Sequence, residues 1–293
     1  MDIIDAHTHV FPPELIARRE DLLERDRWFG ALYANPRAQM ATVEELLASM
    51  DHAGVARAVT FGFAFADQGL CEACNAWVLD AAARHPQRLI PFAVANPLAG
   101  DAAQQALRRA LEAGAQGIGE LMPDGQGFAL SDEDGLPAVL GLAREYERPV
   151  MVHISELLGH TYPGKGSQGP AEAWRLAVRF PANTFIYSHW GGGLPFYTLM
   201  PEVRRALANV YYDSAASLYL YDDAIFALAA DWAPDRILFG SDYPLIPQER
   251  FLRRVRAARL GEPVLRRFLG ANASCLLAGR GRPAGGGRGP DHG

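Results

Sequence analysis

The chain alternates eight short, almost wholly apolar runs with longer segments of helical spacing, and few folds accommodate that order. The runs occupy residues 2–5, 56–61, 89–94, 116–121, 149–154, 184–188, 210–213 and 236–239. Each has strand length and little in-out alternation, as expected of strands covered on both faces in a parallel sheet. Between them, residues 42–54 open on the capping box Thr42-Val-Glu-Glu45 and close on Gly54. Further helices are expected at 70–84, 101–113, 134–147, 171–180, 195–208, 222–230 and 247–260. Eight strand–helix repeats with right-handed crossovers build either a doubly wound sheet or a closed barrel. Eight units in 293 residues favour a single-domain α/β structure, a (β/α)8 TIM barrel, since such barrels run to about 250 residues. The stretch 11–40 is too long for a plain connection and is expected as an N-terminal excursion over the barrel mouth. The barrel should span residues 1–278. The tail 279–293 is rich in Gly and Arg and nearly free of apolar residues, so it cannot repay its ordering entropy and is expected to be flexible.

Composition narrows the partners more than the chemistry. With 49% hydrophobic and 21% charged residues, the chain has the make-up of an ordinary soluble globular protein. A net charge of −6 argues against a protein whose whole surface binds nucleic acid or anionic lipid. The three cysteines cannot all pair within one chain. The start MDIIDAHTHVFPP lacks the basic and long apolar regions of a secretory signal, and no apolar run nears the ~20 residues of a membrane span. The expectation is a cytoplasmic protein with a small-molecule substrate and no nucleic-acid or membrane partner. A homo-oligomer is compatible with the sequence, though no stretch demands an interface.

The chemistry gathers at the strand ends. Asp5-Ala-His7-Thr-His9 follows the first run, and residues i and i+2 of a strand face the same side, so His7 and His9 can converge on one ion. Imidazole suits zinc and other borderline transition metals. Taken alone, HxH is equally two ordinary polar residues at a strand end. The fifth run leads into His153, the sixth into His189, the eighth into Phe-Gly-Ser-Asp242, and the fourth carries Gly-Ile-Gly-Glu120. In a (β/α)8 barrel every strand C-terminus opens on one face, where active sites lie. Five strands thus deliver six residues of metal-ligand type to one rim. The bland reading of each, a capping acid or a core histidine, does not explain the set.

The ordered motifs DAHTHVF, GIGEL, PVMVHIS, FIYSHWGGG and LFGSDYP, running from residue 2 to about residue 278, resemble the amidohydrolase superfamily, in particular its amidohydrolase-related branch. That branch includes metal-dependent hydrolases and decarboxylases similar to aminocarboxymuconate-semialdehyde decarboxylase. The resemblance implies that His7, His9, His153 and Asp242 bind the principal divalent metal. For His189 it implies either a second metal or an acid/base role beside the first. Glu120 stands where some members carry a bridging glutamate and others a carboxylated lysine. Decarboxylases of the branch usually use one metal, so Glu120 tilts the expectation towards hydrolysis.

On this reading the chain is a metal-dependent hydrolase of a small amide, ester or lactone. A bound zinc ion lowers the pKa of its water to about 7 and polarises a carbonyl. Asp242 accepts the water's proton, and His189 holds a second metal or donates to the developing oxyanion. Zinc is the expected metal, with one or two ions per chain, and His and Asp ligands suit manganese as well. The alternative sets the same residues in a metal-dependent, non-oxidative decarboxylase of a small unsaturated or aromatic carboxylic acid. A third reading keeps the barrel as a non-catalytic metal-binding protein. Lys165, the single lysine, and Tyr162 lie in the loop after the fifth run as candidate substrate contacts, although an exposed loop lysine is the plainer reading. Cys71 and Cys74 share a helix face and are expected to pack. The glycines after Trp190 are expected to turn the chain sharply past His189. Phe11, Trp190, Tyr212, Tyr219 and Tyr243 serve either a pocket or barrel packing.

Overall fold

The computed structural model describes residues 2–279. Eight parallel strands lie side by side in sequence order: β1 (Ile4–His9), β2 (Arg57–Phe61), β3 (Leu89–Ala93), β4 (Gly117–Leu121), β5 (Val150–Val152), β6 (Phe185–Tyr187), β7 (Val210–Asp213) and β8 (Ile237–Leu238). The sheet returns on itself. The Ala6 N–H donates to the Phe239 carbonyl and the His9 N–H to the Tyr243 carbonyl, both at 2.7 Å, and the Asp242 N–H reaches the His7 carbonyl at 3.1 Å. Thr8 pairs in parallel with Tyr243. With helices between its strands, this is a (β/α)8 TIM barrel. Among the described residues, no helix is long and apolar enough to cross a membrane. Beyond Gly279, the expected tail lies outside the described residues.

Strands covered on two faces need two apolar layers. One buried cluster, with Ile4, Val59, Phe92, Met151, Ile186, Tyr211 and Leu238 among its members, joins seven strands and fills the interior. Two more lie between sheet and helices, one around Leu107, Val139, Val150 and Leu176, the other around Leu46, Val78, Ile237 and Phe251. Burying each such side chain stabilises the fold by roughly 1.5–3 kcal/mol relative to leaving it in water.

The capping box forms as read. Thr42 Oγ1 accepts from the Glu45 N–H, Glu45 Oε2 accepts from the Thr42 N–H at 2.7 Å, and the helix Val43–Ala53 ends on Gly54 at φ +73°. The helix expected at 70–84 begins at Gln68 because Asp67 caps it. Two expectations are corrected. The first strand does not stop at residue 5 but runs to His9, held by pairing to β2. The helix expected at 195–208 shrinks to Pro201–Ala206. Ahead of it, His189 to Gly193 all take left-handed φ between 55° and 93°, and Pro195 and Pro201 have no N–H to extend a helix backwards. The excursion folds as three short helices, Pro13–Ala17, Arg19–Arg25 and Arg27–Tyr33. Asp26 caps the third by accepting the Trp28 and Phe29 N–H groups.

Candidate metal centre

At the C-terminal end of the barrel, the six strand-end residues form two groups, His7–His9–Asp242 and Glu120–His153–His189. In the first, His7 Nε2 lies 3.1 Å from His9 Nε2, with Asp242 Oδ1 at 3.6 and 3.5 Å from these two nitrogens. In the second, His153 Nδ1 lies 3.1 Å from His189 Nε2 and 3.3 Å from Glu120 Oε1, which is 3.7 Å from His189 Nε2. Glu120 joins the groups: its other oxygen, Oε2, is 3.6 Å from His7 Nε2 and 3.8 Å from His9 Nε2. The resemblance sets His153 with His7, His9 and Asp242. The geometry sets it with Glu120 and His189.

Local backbone explains these positions. Along β4, Ile118 and Leu121 both contribute to the outer core, which strict alternation over three residues forbids. The pairing of β4 with β5 is irregular between those two residues, and such a break re-aims side chains; here it turns Glu120 inward. His189 and Asp242 sit at φ +55° and +63°, a region non-glycine residues seldom occupy and which gathers at functional sites.

The outer nitrogens of the four imidazoles settle what the inner ones can do. His7 Nδ1 is 2.9 Å from Asp213 Oδ2, His189 Nδ1 is 3.1 Å from the Ala215 carbonyl, and His9 Nδ1 is 3.4 Å from the Gly62 carbonyl. His153 Nε2 lies 3.1 Å from the Gly164 carbonyl and 3.2 Å from Ser155 Oγ. Carbonyls and a carboxylate only accept, so the outer nitrogens carry protons, which leaves the inner ones to present lone pairs wherever the ring is neutral. In each group two inner nitrogens therefore face one another at 3.1 Å beside a carboxylate, an arrangement that needs positive charge between them, a proton or a metal ion. Glu120 Oε1 is buried with no hydrogen-bond partner. Imidazole and carboxylate donors around such a gap fit a divalent metal ion.

Titration behaviour agrees. Burial opposes charge on His7, but the carboxylates of Asp213, Glu120 and Asp242 outweigh it and push its pKa up to about 10. Burial and the neighbouring His7 charge lower that of His9. Burial would raise Glu120, yet His7, His153 and His189 hold it well below the ordinary carboxylate range. The pocket attracts positive charge.

Two positioning acids escaped the sequence reading. Asp213, buried at the end of β7, accepts from His7 Nδ1 and from the His189 and Ala215 N–H groups. Asp5 ties β1 to the segment bearing Asp242, accepting from Ser241 Oγ at 2.5 Å and Gln248 Nε2 at 2.7 Å. Tyr162 instead donates to Glu156 Oε2 at 2.7 Å, and Tyr221 donates to Glu156 Oε1 at 2.8 Å. Lys165 Nζ donates to the carbonyls of Leu158, Gly159 and His160 within its own loop. The structure therefore gathers the six ligand-type residues but leaves Tyr162 and Lys165 bonded within the rim. Cys71 and Cys74 are buried.

Aromatic residues line the His9 side. Phe61 stands edge-on to His7 and His9, with ring centroids at 5.1 and 4.7 Å. Phe11, Phe29, Tyr33 and Phe63 pack against one another, the three phenylalanines fully buried and Tyr33 partly exposed. Phe11 serves packing. Trp190 and Tyr212 are buried in the packing layers, and Tyr219 is exposed.

Residues 4–278 match the model of the amidohydrolase family. The chain belongs to that family. Comparison with curated proteins finds no match. Among solved structures, the chain is similar to a 5-carboxyvanillate decarboxylase from Sphingomonas paucimobilis, with TM-score 0.77 and 17% identity over 94% of this chain and 99% of that one. A 2,6-dihydroxybenzoate decarboxylase from Rhizobium gives 0.70 and 18% over 95% and 99%. A 5-carboxyvanillate decarboxylase from Novosphingobium aromaticivorans, solved with manganese and 4-hydroxy-3-methoxy-5-nitrobenzoic acid, gives 0.74 and 17% over 94% and 96%. At these identities the likeness is one of fold.

Proposed function

We propose that this amidohydrolase-family member is a metal-dependent, non-oxidative decarboxylase of a small aromatic or unsaturated carboxylic acid. The observation that carries this reading is the His7–His9–Asp242 group, with the partly exposed Tyr33 on the aromatic cluster that follows His9 in the chain. Rings pack edge-on or offset against other rings, so the accessible Tyr33 suits a planar acid with its carboxylate towards His7, His9 and Asp242. Those three residues would hold a divalent ion, zinc or manganese, with Glu120 alongside. When bound, such an ion supplies Lewis acidity that orients and polarises substrate oxygens. The fold neighbours named above, which are decarboxylases of aromatic acids, support the choice over the hydrolysis expected from sequence.

The reaction exchanges a carboxylate for a proton. A proton adds to the carbon bearing the carboxylate, the bond between them breaks, its electron pair returns to the conjugated system and carbon dioxide leaves. His189 and Asp242 are proposed to hold and move that proton. The hydrogen bond from His189 Nδ1 to the Ala215 carbonyl keeps Nε2 facing the site. Tyr162 and Lys165 are proposed as rim residues near the substrate path.

One observation favours a second reading. Glu120 presents one oxygen to each group of ligands, which suits two ions and hydrolysis of a small amide, ester or lactone, with Asp242 as proton acceptor. A panel of hydroxylated benzoic acids and of small esters, amides and lactones, offered to the metal-loaded protein, separates the two. Carbon dioxide release establishes the decarboxylase; hydrolysis without it establishes the second reading. Metal uptake with neither product leaves a non-catalytic metal-binding barrel.

A further inference from the structure

Tyr33 closes the third excursion helix. Its ring stacks on Phe29 with centroids 4.5 Å apart and meets Phe11 and Phe63 edge-on at 5.6 and 5.8 Å. Both edge partners adjoin His9: Phe11 lies two residues beyond it, and Phe63 follows Gly62, whose carbonyl faces His9 Nδ1. The backbone beneath the ring is pinned as well. The Arg19 guanidinium donates to the carbonyls of Tyr33, Asn35 and Ala38 at 2.5, 2.7 and 3.0 Å. A phenylalanine would make every one of these contacts.

The hydroxyl is what a phenylalanine would lack, and it has no hydrogen-bond partner among the described residues. Burial and the carboxylates of Asp242 and Glu120 keep this phenol protonated well above the ordinary tyrosine range, against the opposing pull of Arg19. It is therefore a standing donor at the partly exposed edge of the ring cluster that adjoins His9.

We infer that Tyr33 is a substrate-binding residue whose hydroxyl donates a hydrogen bond to an oxygen of the bound aromatic acid. The excursion then does more than cover the barrel mouth: it brings a polar contact that none of the eight strand ends provides. This inference rests on the decarboxylase reading, and its test keeps the two apart. The full-length chain, wild type and Tyr33→Phe, is loaded with Mn2+ and titrated calorimetrically with 4-hydroxy-3-methoxy-5-nitrobenzoic acid, with metal content and thermal midpoint measured on the same samples. The substitution retains the ring and its stacking. Binding about tenfold weaker in Tyr33→Phe, at unchanged manganese content and midpoint, is the expected result for one lost hydrogen bond. Equal affinity overturns the inference and leaves the decarboxylase reading standing. Loss of manganese from the variant also overturns it, since the residue then supports the centre rather than the substrate. If manganese-loaded wild type binds neither this acid nor benzoate, the aromatic-acid reading falls, and the inference with it.

Discussion

At the residue scale, the centre depends on which nitrogen of each histidine carries the proton. Asp213 sets that choice for His7 from 2.9 Å away. Asp213→Ala is expected to keep the barrel yet weaken divalent-metal affinity by about 10–100-fold, the usual cost of losing an outer partner of a metal-ligating histidine; competition against a chromogenic chelator reads it. Without metal, His7 has its pKa raised from 6.5 to about 10. Its imidazolium therefore stabilises the metal-free fold fully below pH 6.5, and that contribution disappears as pH rises through about 10. The thermal midpoint of chelated protein should fall across this window. Metal must displace the same proton, so apparent affinity should rise with pH by up to about tenfold per unit for each proton released. Affinity that is flat with pH would contradict the arrangement. The six clustered residues were legible because strand C-termini share one face of a barrel. Asp213 obeys that rule, ending Val-Tyr-Tyr-Asp213, but a lone acid after an apolar run gives no sign that it serves a histidine some 200 positions away. The inward aim of Glu120 depends on irregular pairing of β4, which no residue pattern announces.

At the scale of elements, the signals that held were local and the failures came from backbone handedness. Thr42 and Glu45 form the capping box their spacing promises. Thr42→Ala should cost about 1 kcal/mol, a drop of roughly 2–4 °C in midpoint for a protein of this size, without touching metal content. The segment after His189 defeated the helical reading because five consecutive residues turn left-handed, a property that glycines permit but do not dictate. In β4 the demand on glycine is stricter. Gly119 has φ +121°, and a Cβ there would lie 2.3 Å from the Met151 carbonyl oxygen. Gly119→Ala should displace the neighbouring Glu120, lowering both the midpoint and metal content, whereas Gly141→Ala, in open space on a helix, should raise the midpoint slightly and leave metal content unchanged. The excursion was legible as an excessive length between two strands. Its three helices, and the packing of Tyr33 on Phe11 and Phe63, follow from aromatic contacts distant in sequence.

At the scale of the whole molecule, repetition made the architecture readable: eight apolar runs of strand length leave a barrel as the economical solution, and the structure closes it between β1 and the segment after β8. Chemistry was readable down to a metal-ligand constellation, because that needs only residue type and strand position. The step from constellation to reaction was not, since hydrolysis and decarboxylation draw on the same ligands. The aromatic cluster near His9 joins the excursion to the segments that follow β1 and β2. The central claim is that the imidazole nitrogens facing one another at 3.1 Å are held there for a metal ion. Elemental analysis of the full-length chain, purified without chelator and again after reconstitution with zinc or manganese, tests it most directly. The account predicts at least one divalent ion per chain, lost in a folded His7→Ala, His9→Ala double variant; a second ion would assign Glu120 as a bridge and favour hydrolysis. A wild-type chain that carries no metal and takes up none on reconstitution would contradict it.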